Sequence, residues 1–153
     1  MRRKAKIHLA CSIAVMALIF IHSAMPSDIS SAESGLFVDL VMERFAALFG
    51  NDPEAASFFV RKCAHFLEYT LLGFSFSITA SDYSIPGDSN AAAKLIPWAL
   101  GTLYAVTDEF HQMFVPGRSC EIRDMCIDSC GVAAGVLIGS VWMWWKSSRE
   151  KNR

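Results

Sequence analysis

Charged side chains are sparse in this chain. Fewer than a fifth of its 153 residues carry charge, 15 acids against 14 bases, while more than half are apolar. The formal net charge of −1 by itself says nothing about partners, whereas the distribution of charge does; nucleic acid is not expected among them. Internal repeats and low-complexity tracts are absent, which leaves one domain spanning 1–153. The cysteines, Cys11, Cys63, Cys120, Cys126 and Cys130, are odd in number and fit no metal-ligand spacing. Most of them read as small apolar fillers, with a disulfide left open between Cys63 and Cys120. No Ser or Cys stands in the nucleophile-plus-base order of a hydrolase.

The apolar residues are gathered into four runs, at about 7–25, 60–80, 94–115 and 122–145. Roughly 20 apolar residues span a bilayer. The expected fold is therefore all-α, a polytopic membrane protein with four transmembrane helices. Arg2, Arg3, Lys4 and Lys6 precede the first run, and Lys146, Arg149, Lys151 and Arg153 follow the last. The positive-inside rule then places both termini in the cytoplasm, and an even number of spans agrees. The first run is read as a retained helix, because His22-Ser23-Ala24-Met25-Pro26 is a poor match to a signal-cleavage site.

Between the first two runs, at 35–50, Phe37, Leu40, Val41, Phe45, Leu48 and Phe49 recur at helical spacing. That pattern predicts an amphipathic helix lying on the outer membrane surface. Asp52-Pro53-Glu54 then gives a helix start: an N-cap acid, a proline at the first helical position and a further acid in the first turn. Ser81 to Asn90 reads as a loop, and Pro116-Gly117 suits a type II turn that makes the third and fourth helices antiparallel neighbours. Gly131, Gly135 and Gly139 repeat at four-residue spacing on the fourth helix, the small-residue pattern of close helix packing. Trp142, Trp144 and Trp145 form an inner aromatic belt.

Ionisable residues gather near the outer ends of three runs. A rise of about 1.5 Å per residue puts Glu68, Asp108 and Asp128 at one level, about 10 Å below the outer surface. His65 shares a helical face with Glu68 and Tyr69, Asp108 with His111 and Gln112, and Asp124 with Asp128. Carboxylates at that depth are costly and mark a functional site by default. A common cavity follows, open to the outside and rimmed by Arg61, Lys62, Arg118 and Arg123; the fixed paired donors of arginine suit carboxylate or phosphate groups. Glu109 points off the face of Asp108, toward pairing with Arg118. Asp124, in the first turn of its helix, also suits the helix dipole.

Arg61 through Tyr69, then Thr107-Asp108-Glu109-Phe110-His111-Gln112-Met113-Phe114-Val115-Pro116-Gly117-Arg118, then Asp124, Asp128 and Gly131, resemble the VanZ-like family of bacterial membrane proteins. The similarity runs from roughly Ile19 to Gly139 and departs at Ser129, where an Asn is expected. It implies a bacterial plasma-membrane protein of the cell envelope, associated with resistance to glycopeptides, teicoplanin in particular.

Three function classes are compatible with these residues. In the first, the outer cavity binds a membrane lipid head group, a lipid-linked cell-wall precursor or a glycopeptide. In the second, His65 or His111 acts as general acid or base with Glu68 on a lipid-linked substrate. The third is a metal site, because carboxylate and His at three-residue spacing on two helices resemble di-metal bundles. The cationic rim and the missing nucleophile favour binding over turnover, with no cofactor assigned.

Overall fold

The computed structural model describes residues 2–26, 39, 52–83 and 92–151. Among these residues every regular element is a helix: α1 (Arg2–Ser23), α2 (Pro53–Tyr83), α3 (Ala92–Gln112) and α4 (Ile122–Lys151). Two of the four, over Arg3–Ser23 and Ile122–Lys151, are long and apolar enough to cross a membrane. The expectation of four spans is thus met by composition at two. α2 and α3 carry Arg61, Lys62, His65 and Glu68, and Asp108, Glu109, His111 and Gln112, which dilute their apolar content. The interfacial helix expected over 35–50 lies outside the described residues except at Asp39.

Local chemistry sets the boundaries that position the site. Asp52 caps α2: its Oδ1 accepts the N–H groups of Glu54 and Ala55 at 3.0 and 3.2 Å, satisfying donors with no partner inside the helix. α3 ends in a turn in which the Arg118 N–H donates to the Val115 carbonyl at 3.1 Å. Gly117 there has φ 75°, the left-handed conformation that the third residue of a type II turn requires. The turn returns the chain as α4, which packs beside α3.

α2 and α4 form the most extensive helix pair, and α1 and α3 both lean on α2. The α2–α4 approach is close because glycines line it. A Cβ at Gly131 would stand 2.6 Å from the Phe66 carbonyl oxygen, one at Gly135 would overlap the Thr70 carbonyl, and one at Gly139 would press on Ser77. Val132 fits between Gly73 of α2 and Gly101 of α3. With Ile19, Tyr69, Leu72, Ala105 and Val136, it makes the buried apolar core. All five cysteines are free, so the bridge left open between Cys63 and Cys120 is not formed.

α1 is held at both ends by polar contacts. Near its start the ring of His8 reaches Asp82 Oδ2 at 2.6 Å, and Ser12 hydrogen-bonds Thr79 at 2.9 Å. Midway, Tyr104 donates its hydroxyl to the Met16 carbonyl at 2.7 Å.

The side chains are arranged opposite to those of a water-soluble bundle. On α3, Asp108, Glu109 and Gln112 are at most 3% exposed, whereas Leu103 and Phe110 are each 60% exposed. Leu67 and Leu71 of α2 and Leu137, Ile138 and Val141 of α4 also face outward. Apolar patches on this scale are rare on soluble monomers.

Candidate functional site

A cavity of about 150 Å³ opens where the N-terminal half of α2 meets the α3–α4 turn. Its walls come from Phe58, Arg61, Lys62 and His65 of α2, Gln112 of α3, and Gly117, Arg118, Ser119, Glu121 and Asp124. Three cations therefore reach it. Arg61 lines the wall without a hydrogen bond or ion pair to another described residue. Lys62 is paired with Asp124 and lies 4.9 Å from the Phe58 ring centre. Arg118 donates Nε to the Met25 carbonyl at 3.2 Å and one terminal nitrogen to the His22 carbonyl at 3.5 Å. Those bonds tie the turn to the end of α1. Burial and the nearby Arg61 charge pull Arg118 below its ordinary range, against the opposing charges of Asp108, Glu109 and Glu68.

Arg123, expected on the rim, is not in the cavity wall. It lies over the Phe58 ring, 4.8 Å from its centre, and pairs with Glu121 Oε2 at 2.6 Å. That bond, with one from Ser119, holds Glu121 below the usual carboxylate range. Exposed at the start of α4, Arg123 is turned away by the helical rotation that buries Asp124.

Beneath the cavity lie the acids. Asp128 is fully buried, with the His65 Nδ1 3.6 Å from its Oδ1, too far for a hydrogen bond. Gln112 donates Nε2 to Asp108 Oδ2 at 3.1 Å and to Glu109 Oε1 at 3.4 Å. Glu109 Oε2 accepts the backbone N–H of Glu121 at 3.0 Å. The pairing of Glu109 with Arg118 read from the sequence is therefore corrected. Glu109 turns inward beside His65 and Asp128, because α3 is flanked by both α2 and α4 and buries a wider arc than one helical face. One ligand atom from each of His65, Glu109 and Asp128 lies within 4.8 Å of the others. Tyr69, also fully buried, has Asp108 as an electrostatic neighbour but no hydrogen bond to its hydroxyl.

Besides Arg123, Tyr69 and the buried acids, two more expected site residues, His111 and Glu68, lie apart from the cavity wall and turn to α1. His111 stacks on Phe20 of α1, ring centres 4.6 Å apart, with its Nε2 buried and unbonded. Glu68 turns to α1, where its Oε1 meets His22 Nδ1 at 2.6 Å. His22 was not among the residues singled out from the sequence, although a histidine at the outer end of an apolar run was the available signal. Phe58 was missed too; it stands one turn before Arg61 and Lys62, and the same spacing argument would have found it. Ser129 keeps a hydrogen-bonding role, bonded to Thr102 at 2.9 Å.

The family model described as VanZ/LLP1 matches residues 8–143. No curated protein and no solved structure matches the chain.

Proposed function

The chain belongs to the VanZ/LLP1 family, and from that premise we propose that it is a four-span bacterial plasma-membrane protein whose outward cavity binds an anionic envelope ligand. Both termini are cytoplasmic in this reading, and the ligand is a polar lipid head group, a lipid-linked wall precursor or a glycopeptide. Occupancy of the cavity modulates susceptibility to glycopeptides, teicoplanin foremost. Leu67 and Leu71 of α2, and Leu95, Leu100, Leu103, Val106 and Phe110 of α3, are exposed. They support lipid-facing roles for the two helices whose overall composition is less apolar. The basic residues at the start of α1 and the end of α4 support the orientation.

The observation that carries the binding role is the cavity itself, with Arg61, Lys62, His65 and Arg118 in its wall. Guanidinium forks pair with phosphate or carboxylate oxygens in a fixed geometry. The test is antibiotic susceptibility, teicoplanin against an unrelated drug, in cells expressing wild type, Arg61→Ala or Asp108→Asn at matched membrane levels. A teicoplanin-specific effect that is present in wild type and lost in Arg61→Ala is the expected result. Equal protection by well-accumulated Arg61→Ala would remove the cavity from the function.

One observation favours a second reading, acid–base catalysis on a lipid-linked substrate. His65 faces the cavity while the Asp128 carboxylate stands 3.6 Å behind its Nδ1, the relation of a general base to an orienting acid. Release of product from a labelled prenyl-phosphate substrate by purified protein, abolished in His65→Gln, would distinguish turnover from binding.

A further inference from the structure

Asp108, Glu109 and Asp128 are the most deeply buried acids among the described residues, 3%, 0% and 0% exposed. None of them forms an ion pair with a described Lys or Arg, since Lys62 is committed to Asp124 and Arg123 to Glu121. Both oxygens of Asp128 and the Oδ1 of Asp108 are buried without any hydrogen-bond partner. An ionised carboxylate in that state costs far more than a helix bundle can absorb. Besides a proton, or the His65 ring 3.6 Å from Asp128, a cation can compensate such a cluster, and the geometry indicates where one would sit.

We propose that His65, Glu109 and Asp128 bind a divalent transition-metal cation, Zn²⁺ or Mn²⁺, beneath the cavity. The three ligands come from α2, α3 and α4, and their donor atoms lie within 4.8 Å of one another. Two metal–ligand bonds of about 2.2 Å span at most about 4.4 Å, so rotamer adjustments of a few tenths of an ångström close the site. Glu109 is already oriented: the Glu121 N–H holds Oε2 at 3.0 Å and Gln112 approaches Oε1 at 3.4 Å. Hydrogen bonds of this kind aim a ligating carboxylate. Asp128 contributes two lone-pair-rich oxygens with nothing else to bond. His65 also lines the cavity, which gives the ion an entry path and leaves a coordination position toward the cavity.

The donor set selects the ion class. One imidazole and two carboxylates suit Zn²⁺ or Mn²⁺. Ca²⁺ takes six to eight oxygens, and Mg²⁺ demands a near-ideal octahedron with several retained waters. Such a site is independent of the identity of the ligand in the cavity above it.

The test uses the full chain purified in detergent through a tag without histidine, stripped with chelator, and titrated with Mn²⁺, Zn²⁺ or Mg²⁺. Bound metal is counted by mass spectrometry and the unfolding midpoint is followed in parallel. The expected result is about one Mn²⁺ or Zn²⁺ per chain with a rise in midpoint, since a ligand that binds only the folded state stabilises it. Mg²⁺ should give neither. Asp128→Asn and His65→Gln should each weaken binding by more than the roughly 10–100-fold that loss of a supporting hydrogen bond costs a metal site. The Mn²⁺ arm and the Asp128 variant discriminate against Zn²⁺ held by the five free cysteines. Folded, stripped wild type that takes up neither Mn²⁺ nor Zn²⁺ would overturn the site, as would Asp128→Asn binding like wild type. If Asp128→Asn fails to fold, the wild-type titration and His65→Gln still decide. Because no antibiotic enters the experiment, failure here leaves the teicoplanin test untouched, and the converse holds.

Discussion

His22 and Glu68 meet across the outer ends of α1 and α2, with Nδ1 2.6 Å from Oε1. At the other end of the same helix pair, His8 meets Asp82 at 2.6 Å. α1 buries little apolar surface of its own, with Ile7, Ile13, Leu18 and Ile21 all more than half exposed. Polar contacts therefore do much of the work of docking it. His22→Ala and Glu68→Gln should each lower stability by about 1 kcal/mol, the usual net worth of one hydrogen bond. In the double variant the costs should not add, leaving an interaction energy of about 0.5 kcal/mol or more. Detergent-solubilised unfolding of the four proteins gives that cycle directly, and strict additivity would show the pair to be energetically idle.

The α2–α4 interface ranks its glycines. At Gly135 an added Cβ would collide with the Thr70 carbonyl and the Phe74 nitrogen, both backbone atoms that cannot turn aside. At Gly139 it would stand 2.9 Å from both Cβ and Oγ of the buried Ser77; the hydroxyl can rotate away, but Cβ moves only with the helix. Gly135→Ala should thus cost about 1–3 kcal/mol or more, as overpacking does, and accumulate poorly in membranes, while Gly139→Ala, which needs a smaller shift of the helices, should cost clearly less. Similar membrane levels and midpoints for the two variants would mean that the helices are not this close.

Gly117 tests the turn that carries Arg118 to the cavity. Its φ of 75° is strained for a residue with a Cβ, and alanine there should cost about 1 kcal/mol. Asparagine tolerates the left-handed region, so Gly117→Asn should retain more stability than Gly117→Ala. Because Arg118 bonds the carbonyls of His22 and Met25, the alanine variant should also loosen the end of α1. Protease cleavage after Met25 that rises in the alanine variant and not in the asparagine variant would report that loosening.

What the sequence reveals here depends on how local each cause is. The Asp52 cap and the Pro116-Gly117 turn are set by neighbours within three residues, and both occur where their chemistry predicts. The glycine repeat on α4 pointed to a close helix partner, but nothing in its spacing named α2. Glu109 was misjudged because a helical face drawn from one contact is narrower than the arc that two flanking helices bury. His22 with Glu68, 46 residues apart, leaves no periodic trace. His111 shares its face with Asp108 by spacing, yet stacking on Phe20 draws its ring to α1.

Lys62 and Asp124 form the one Lys-to-acid pair among the described residues of the cavity wall, their side chains 19% and 11% exposed. The two members should not be equivalent. Removing the cation by Lys62→Met strands a nearly buried carboxylate whose Oδ1 already has no partner, the situation that costs about 3–5 kcal/mol when burial is complete. Asp124→Asn removes a charge from the first turn of α4, losing about 0.3–1 kcal/mol of dipole stabilisation. It leaves Lys62 with a hydrogen-bond acceptor, a flexible stem and the Phe58 ring 4.9 Å away. The order of damage should therefore be Lys62→Met well above Asp124→Asn. The double variant should recover most of the loss of the first, because no stranded charge remains. Unfolding midpoints at low and high salt measure the order, and a double variant as unstable as the sum of the singles would show that Lys62 stabilises through packing rather than by compensating Asp124.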